Sequence, residues 1–194
     1  MKKILQKEAQ LLRKIAESVP PGKITSPKIQ KILQEMKTIL VSQDDGVAIA
    51  APQIGYSLRI FIISKRVQSI VKKFRPESQI DARIDKDNKV LDENTFKDMV
   101  FINPNLKKIS KEKMIVEEGC LSVRYLYGKV SRGRKAVVEA YDEKGKKFTK
   151  GASGLMSQIF QHEVDHLNGI LFIDKAKYVE EILPEKTNPT PIHE

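Results

Sequence analysis

The sequence predicts an α+β fold, in which mostly antiparallel strands pack around one central helix and N-terminal helices precede them. This prediction depends on the order of the patterns: helical periodicity first, then short apolar strands, then one further helix. The chain has 194 residues, of which 40% are hydrophobic and 31% charged. Those values suit one folded domain. We expect this domain over residues 1–183 and a loose tail with three prolines over residues 184–194.

Two helices are predicted near the N-terminus. Over residues 4–19 the apolar side chains fall on one helical face, and the Pro-Pro-Gly sequence at 20–22 ends the pattern. For the second helix, Ser26 can serve as the cap and Pro27 suits the first helical position. Its apolar stripe runs over residues 29–40. Both helices are therefore expected to pack on the core.

Short apolar segments follow the predicted helices. Residues 58–64 read LRIFIIS, which is typical of a buried strand. By contrast, residues 65–94 are polar and weakly periodic, and we interpret them as an inserted excursion or flexible loop.

Further strands are predicted downstream of the polar segment. Residues 99–103 form a short strand that Pro104 is expected to end, and residues 113–117 form another. Residues 135–141 and 146–150 are predicted to form a hairpin around a polar turn. Hairpins of this kind indicate antiparallel pairing.

A last helix is predicted over residues 154–168. Ser153 can cap its start, and Gly169 can end it. Leu155 and Ile159 share one face of this helix, because positions three and four apart are neighbours on a helical surface.

This helix carries the sequence HExxH, formed by His162, Glu163 and His166. Since the two histidines lie four positions apart, both imidazoles can reach one metal ion. Glu163 lies about 100° round the helix from His162, close enough to contact a metal-bound water. The alternative is a pair of surface histidines on an amphipathic helix. The third histidine, His193, lies in the predicted tail.

A third ligand must therefore come from a cysteine or a carboxylate. The chain has one cysteine, Cys120, which is either an inert buried residue or a chemical group. Gly119 before it permits close backbone approach. A zinc protease that uses Glu181 or Glu185 as its third ligand is the main enzyme alternative.

The net charge of +10 allows two interpretations. A basic surface attracts polyanions, but lysine-rich solvated surfaces are also common. The chain shows neither an RNP-like aromatic motif nor zinc-finger spacing nor a phosphate loop, so no specific nucleic-acid binding is predicted. A ribosome-binding module with a structural metal site remains an alternative, although the HExxH glutamate argues for catalysis.

Without an apolar run of about 20 residues or a signal peptide, we expect a cytoplasmic protein and no membrane partner.

Three short segments of the chain carry motifs. Residues 46–53 read GVAIAAPQ, residues 118–122 read EGCLS and residues 161–166 read QHEVDH. Together they resemble the motifs of peptide deformylases, whose patterns GxGxAAxQ, EGCLS and QHExDH occur in the same order and at about the same spacing. The resemblance extends from the second predicted helix to about Asp174.

The resemblance implies one divalent metal ion held by Cys120, His162 and His166. Fe(II) is the expected ion in the cell, with Zn(II), Ni(II) or Co(II) as alternatives. It also implies that the substrates are nascent peptides that begin with N-formyl-methionine, and that transient ribosome contact is possible. Glu163 would act as general acid and base while the formyl group leaves as formate.

The family also implies roles for residues outside the metal site. The side-chain amide of Gln53 and the backbone N–H of Leu121 would hold the developing oxyanion. A strand-like backbone would pair with the peptide, and apolar side chains would line a methionine pocket. The substrate-binding residues implied in this way are Gly46, Val47, Ala48, Leu155 and Ile159.

Three positions depart from the family's patterns, namely Ala48 in place of a glycine, Arg124 in place of a proline, and Gln158 where an apolar residue would line the pocket. We expect them to affect specificity more than chemistry. Gln158 can also turn aside. Arg132 matches a recurrent arginine of the family and is expected to pair with an acid such as Asp165. Glu118 either orients a neighbouring group or is a solvated acid.

Overall fold

Two antiparallel sheets and three helices make up the described part of the chain, which in this computed structural model comprises residues 2–73 and 96–183. The helices are α1 (Pro27–Val41), α2 (Arg66–Lys73) and α3 (Gly154–Leu167). The strands are β1 (Ala48–Ala50), β2 (Ile60–Ile63), β3 (Met99–Ile109), β4 (Lys113–Cys120), β5 (Val123–Gly133), β6 (Lys135–Tyr141), β7 (Lys147–Ser153) and β8 (Val179–Glu181). The predicted α+β class is confirmed.

The two sheets enclose α3. One sheet has the order β1-β2-β3-β6-β7 and the other has the order β4-β5-β8. Phe160 of α3 packs against Phe61 and Phe101, at centroid distances of 6.5 and 5.3 Å. Ile159, which precedes Phe160, belongs to the same buried cluster. Burial of this apolar face holds α3 in the centre of the fold, where its polar face borders a cleft.

The predicted second helix is confirmed as α1. Pro27 occupies its first turn, and its apolar stripe packs on residues of β1 and β2. Ser26 has the extended backbone of a cap, but its side chain forms no capping hydrogen bond with the described residues. The same holds for Ser153 before α3, so both serines occupy the predicted cap positions without a capping bond from their side chains to the described residues. The positive φ of +74° at Gly169 ends α3 as predicted.

The helix predicted over residues 4–19 is wrong. The segment contains one short 3-10 helix, Gln10–Arg13, within an otherwise irregular chain. Its backbone donors find distant partners: Ala16 donates to the Leu167 carbonyl and Glu17 to the Ser57 carbonyl. Because its apolar side chains enter three separate clusters, the segment wraps around the fold and tertiary contacts override its helical periodicity.

The strand predictions need two corrections. The strand predicted to end at Pro104 continues to Ile109, because a register shift between Ile102 and Asn105 accommodates the proline. Asn103 has a φ of +51°, and its side chain bonds both backbone groups of Val19. In addition, β5 and β8 were not predicted. The polar segment predicted over 65–94 begins with helix α2, whereas residues 74–95 and the predicted tail at 184–194 lie outside the described residues.

Candidate active site

A cleft of about 750 Å³ lies between the segment that leads into β1 and the turn that joins β4 to β5. Helix α3 forms its floor and contributes His162 and Glu163. Cys120 enters from the end of β4. Residues that are far apart in the chain therefore meet where the edges of two sheets approach the same helix.

The three predicted metal ligands converge in this cleft. One donor atom from each of Cys120, His162 and His166 lies within 4.8 Å of the other two. The Sγ of Cys120 is 3.2 Å from Nε2 of His166. Burial raises the pKa of the Cys120 thiol, but the neighbouring histidines more than offset this and lower the pKa to about 5. A thiolate with two imidazoles is a donor set that suits zinc or ferrous iron.

Glu163 is buried beside these ligands. Its Oε2 finds no hydrogen-bond partner among the described residues. Burial raises the pKa of this carboxyl group to about 7. A carboxyl with a free oxygen and a pKa near neutrality can take up and return a proton at physiological pH. Three ligands with an adjacent unpaired carboxylate therefore fit a single divalent ion that keeps an open position for water.

A network of charged side chains orients the imidazole of His162. Glu118 accepts a hydrogen bond from Nδ1 of His162 at 3.0 Å and two from Arg132 at 2.7 and 2.8 Å. Arg132 also donates to Asp165 at 2.5 Å, as predicted, and Asp165 accepts from Lys175 at 2.6 Å. Since Glu118 is 3% exposed, its interpretation as a solvated acid is wrong. The bond at Nδ1 leaves Nε2 of His162 to face a metal.

The pKa of Glu118 reflects the competition between burial and hydrogen bonding in this network. Burial raises it, but the hydrogen bonds from Arg132 and His162 outweigh burial and lower the pKa to about 2. Glu118 is thus held as a carboxylate that accepts the imidazole N–H. Lys175 was not predicted, because the sequence shows a surface lysine and gives no sign of its contact with Asp165.

Gln53 lies at the deep end of the cleft. Its Oε1 accepts from the Ala50 backbone at 2.8 Å, which leaves Nε2 to donate to Ser122 at 3.1 Å, with Cys120 Sγ 3.5 Å away. The side-chain amide is thereby held next to the ligand cluster. Leu121 lies in the adjoining turn and also lines the cleft. The contact of Ser122 with Gln53 was not predicted, although the EGCLS motif contains this serine.

The predicted substrate-binding residues all line the same cleft, namely Gly46, Val47, Ala48, Leu155 and Ile159. Ala48 begins β1, which lies at one end of the described five-stranded sheet. Gln158 also borders the cleft, and its amide donates to the Glu117 carbonyl at 2.9 Å. It thus turns aside toward β4, which was one of its two predicted positions.

Of the two carboxylates weighed as a third ligand, Glu181 lies on β8 with an exposed side chain and outside the ligand cluster. Glu185 lies outside the described residues. Within the described residues, the geometry therefore favours Cys120 over Glu181.

The profile of the polypeptide deformylase family matches residues 1–181 of this chain. The chain belongs to this family. It is 39% identical to peptide deformylase 1A, chloroplastic/mitochondrial, of Arabidopsis thaliana, over 85% of this chain and 57% of the plant protein. It is 33% identical to peptide deformylase 2 of Clostridium acetobutylicum, over 90% of this chain and 94% of that protein. The chain thus spans little more than half of the plant relative's length.

A solved structure of the family has the same fold. The Met-Ala-Ser-bound class I type b peptide deformylase from Acinetobacter baumannii superposes with a TM-score of 0.71 at 28% identity, covering 90% of this chain and 98% of that one. Membership of the family implies a catalytic metal ion, and the Cys120, His162 and His166 cluster is where this chain can hold it. Among the described helices, none is long and apolar enough to cross a membrane.

Proposed function

We propose that this protein hydrolyses the formyl group from the N-terminal formyl-methionine of nascent polypeptides and releases formate. The observation that carries the proposal is the convergence of Cys120, His162 and His166 beside the buried Glu163, in a chain of the polypeptide deformylase family. Residues 1–183 form the catalytic domain in this proposal, and the cytoplasm is its place of action.

Cys120, His162 and His166 hold the metal ion. When bound there, a divalent ion supplies Lewis acidity and lowers the pKa of a bound water. Fe(II) is the proposed ion in the cell, with Zn(II), Ni(II) or Co(II) able to replace it. The hydrogen bond from His162 to Glu118 keeps the imidazole in the tautomer that leaves Nε2 free to bind.

Glu163 moves the proton. It accepts a proton from the attacking water and then passes it to the leaving amine, so that one carboxyl serves as base and acid in turn. Its pKa of about 7 suits both steps, because neither protonation state is strongly disfavoured at neutral pH. Burial also excludes bulk water, which would compete for this proton.

Gln53 and Leu121 stabilise the negative charge that develops on the formyl oxygen. The Gln53 side-chain amide and the Leu121 backbone N–H are the proposed donors. The bond between Gln53 Oε1 and the Ala50 backbone supports this role, since it aligns the amide before substrate arrives. A donor that is already aligned does not have to be reorganised during the reaction.

The peptide binds as an added strand. The backbone of Gly46, Val47 and Ala48 pairs with the extended substrate, while Leu155 and Ile159 line the pocket for the methionine side chain. The Acinetobacter relative that was solved with Met-Ala-Ser supports a peptide of this kind as ligand. Contact with the ribosome is transient in this proposal, and neither a membrane nor a specific nucleic acid takes part.

The experiment that tests the ligand set compares metal content and formate release in wild type, Cys120→Ala and Glu181→Ala. We expect Cys120→Ala to lose its metal and its activity on a formyl-methionyl peptide, whereas Glu181→Ala keeps both. Full metal retention in Cys120→Ala together with loss in Glu181→Ala would instead support the protease-type ligand set. Ribosome binding by a metal-loaded wild type that releases no formate would support the binding module.

A further inference from the structure

We propose that Arg124 is a positioning residue. It links the two walls of the cleft at the rim, namely the start of β5 and the segment over residues 43–45 before β1, and so holds the β1 backbone in place for the substrate peptide. This inference rests on the proposed function. Arg124 is the second residue of β5, one residue beyond the turn that contains Leu121 and Ser122. The residues it contacts lie on the opposite wall, just before β1.

The bridge consists of two hydrogen bonds from one guanidinium group. Nη1 of Arg124 donates to Asp45 at 2.6 Å, and Nη2 donates to the Gln43 side chain at 2.8 Å. All three residues line the cleft. An isolated ion pair at a surface contributes little, but a planar guanidinium that engages two acceptors on one segment restrains the geometry of that segment.

The segment held by Arg124 is restrained from its other side as well. Arg66 of α2 donates to the carbonyl groups of Gln43 and Asp44, at 2.9 and 3.2 Å. Gly46 then packs so closely that an added Cβ would lie 2.9 Å from the Cβ of Gln43. Hydrogen bonds from two arginines therefore restrain residues 43–45, which immediately precede the backbone that would pair with substrate.

The wall that carries Arg124 contains a strained residue. Tyr125 has a φ of +66°, a conformation that costs free energy for a side chain of this size. The Tyr125 carbonyl accepts from the Ile182 backbone at 2.8 Å, while Arg124 beside it is held by its two bonds. These contacts on both sides stabilise the strained backbone at the rim.

The two walls are thus linked at two depths. At the deep end Gln53 donates to Ser122, and the same side-chain amide is the proposed donor to the formyl oxygen. The Arg124 bridge involves none of the proposed reacting groups, so it can persist while substrate is bound.

The test measures kcat and KM for the amide formyl-Met-Ala-Ser-NH₂, and for the same peptide with a free carboxylate, in metal-loaded wild type, Arg124→Gln, Asp45→Ala and the double variant. We expect each single variant to raise KM about threefold to tenfold, because the peptide is positioned less well. The turnover number kcat should change by less than about twofold, because the proposed reacting groups are unaltered. The double variant should be no worse than Arg124→Gln alone. Arg124→Lys, which keeps the charge but can reach one acceptor, should recover part of the loss.

Arg134→Gln serves as the matched control, because Arg134 forms an exposed pair with Glu112 and does not line the cleft. Unchanged KM in Arg124→Gln, or additive effects in the double variant, would overturn the proposal. An effect seen with free-carboxylate peptides alone would mean that Arg124 binds the substrate's carboxylate directly, which also overturns it. If wild type releases no formate, the proposed function fails instead. Amide hydrogen exchange over residues 43–50 then still reports on the bridge, with faster exchange in both single variants expected.

Discussion

At the scale of single residues, the balance between burial and pairing decides what each carboxyl group in the cleft can do. Glu118 and Glu163 are 3% and 4% exposed. Hydrogen bonds from Arg132 and His162 keep Glu118 ionised, whereas Glu163 has a raised pKa and an oxygen that finds no partner in the described part of the chain. The first can therefore orient an imidazole, and the second can exchange a proton.

Gln53→Ala should reduce turnover about 10²–10³-fold, because it removes one donor to the developing oxyanion. Metal content should stay at the wild-type level, since the Gln53 amide is not among the proposed ligands. Steady-state kinetics on a formyl-methionyl peptide, with metal analysis of the same sample, measures both quantities. Turnover within a factor of about three of wild type would exclude Gln53 as an oxyanion donor.

Several site residues could be predicted from the sequence because their signal is local. His162, Glu163 and His166 follow from helical spacing. Cys120 needed both the shortage of histidines and the family resemblance, since no local pattern relates β4 to α3. The contact of Lys175 with Asp165 could not be predicted, because it depends on how the chain returns after α3.

At the scale of elements, Gly169 determines where α3 ends and how the N-terminal segment packs on it. Its φ is +74°, and an added Cβ would lie 2.6 Å from the Arg13 carbonyl oxygen. Helix termination and close approach thus coincide at one glycine. The segment over residues 4–19 can pack here because there is no side chain in the way.

Gly169→Ala should lower the free energy of unfolding by at least about 2 kcal/mol, because it adds both backbone strain and a clash. Gly151→Ala in β7 is the matched control. The described residues leave open space around its Cβ position, so a change within about 0.5 kcal/mol is expected. Urea unfolding of the three proteins gives the comparison, and equal stability of the two variants would refute this account of Gly169.

Elements were predicted well where a strong periodicity coincided with burial on one side. Helix α1 and the β6–β7 hairpin are of this kind, whereas α3 is buried on nearly all sides and was predicted from the face that Leu155 and Ile159 share and from Gly169 as its stop. β5 was missed because its sequence has no regular alternation: it pairs with β4 and with β8, and its burial changes irregularly along its length. The predicted helix over residues 4–19 failed for the opposite reason, since a helical pattern was present but distant backbone partners were stronger.

At the scale of the whole molecule, one arginine connects the parts that carry the site. Arg132 on β5 bonds Glu118 on β4 and Asp165 on α3. Asp165 in turn bonds Lys175, which follows α3. Strand β4 and helix α3, which carry the proposed metal ligands, are therefore fixed relative to each other by the buried side chains of Arg132, Glu118 and Asp165.

Arg132→Met should destabilise the fold by about 3–5 kcal/mol, because it leaves two buried carboxylates without their main partner. Arg134→Met should cost less than about 1 kcal/mol, since Arg134 and Glu112 form an exposed pair. Thermal or urea unfolding of metal-free protein measures both, so that loss of metal does not enter the comparison. Similar losses in the two variants would show that the buried network does not stabilise the fold.

The most direct test of the central claim compares wild type with Glu163→Ala in an anaerobic deformylation assay, with metal analysis of the same samples. Cys120, His162 and His166 are proposed to hold the ion without Glu163, whereas proton transfer requires it. We predict that Glu163→Ala keeps its metal and loses formate release by about 10²–10⁴-fold. A metal-loaded Glu163→Ala protein with wild-type activity would contradict the account.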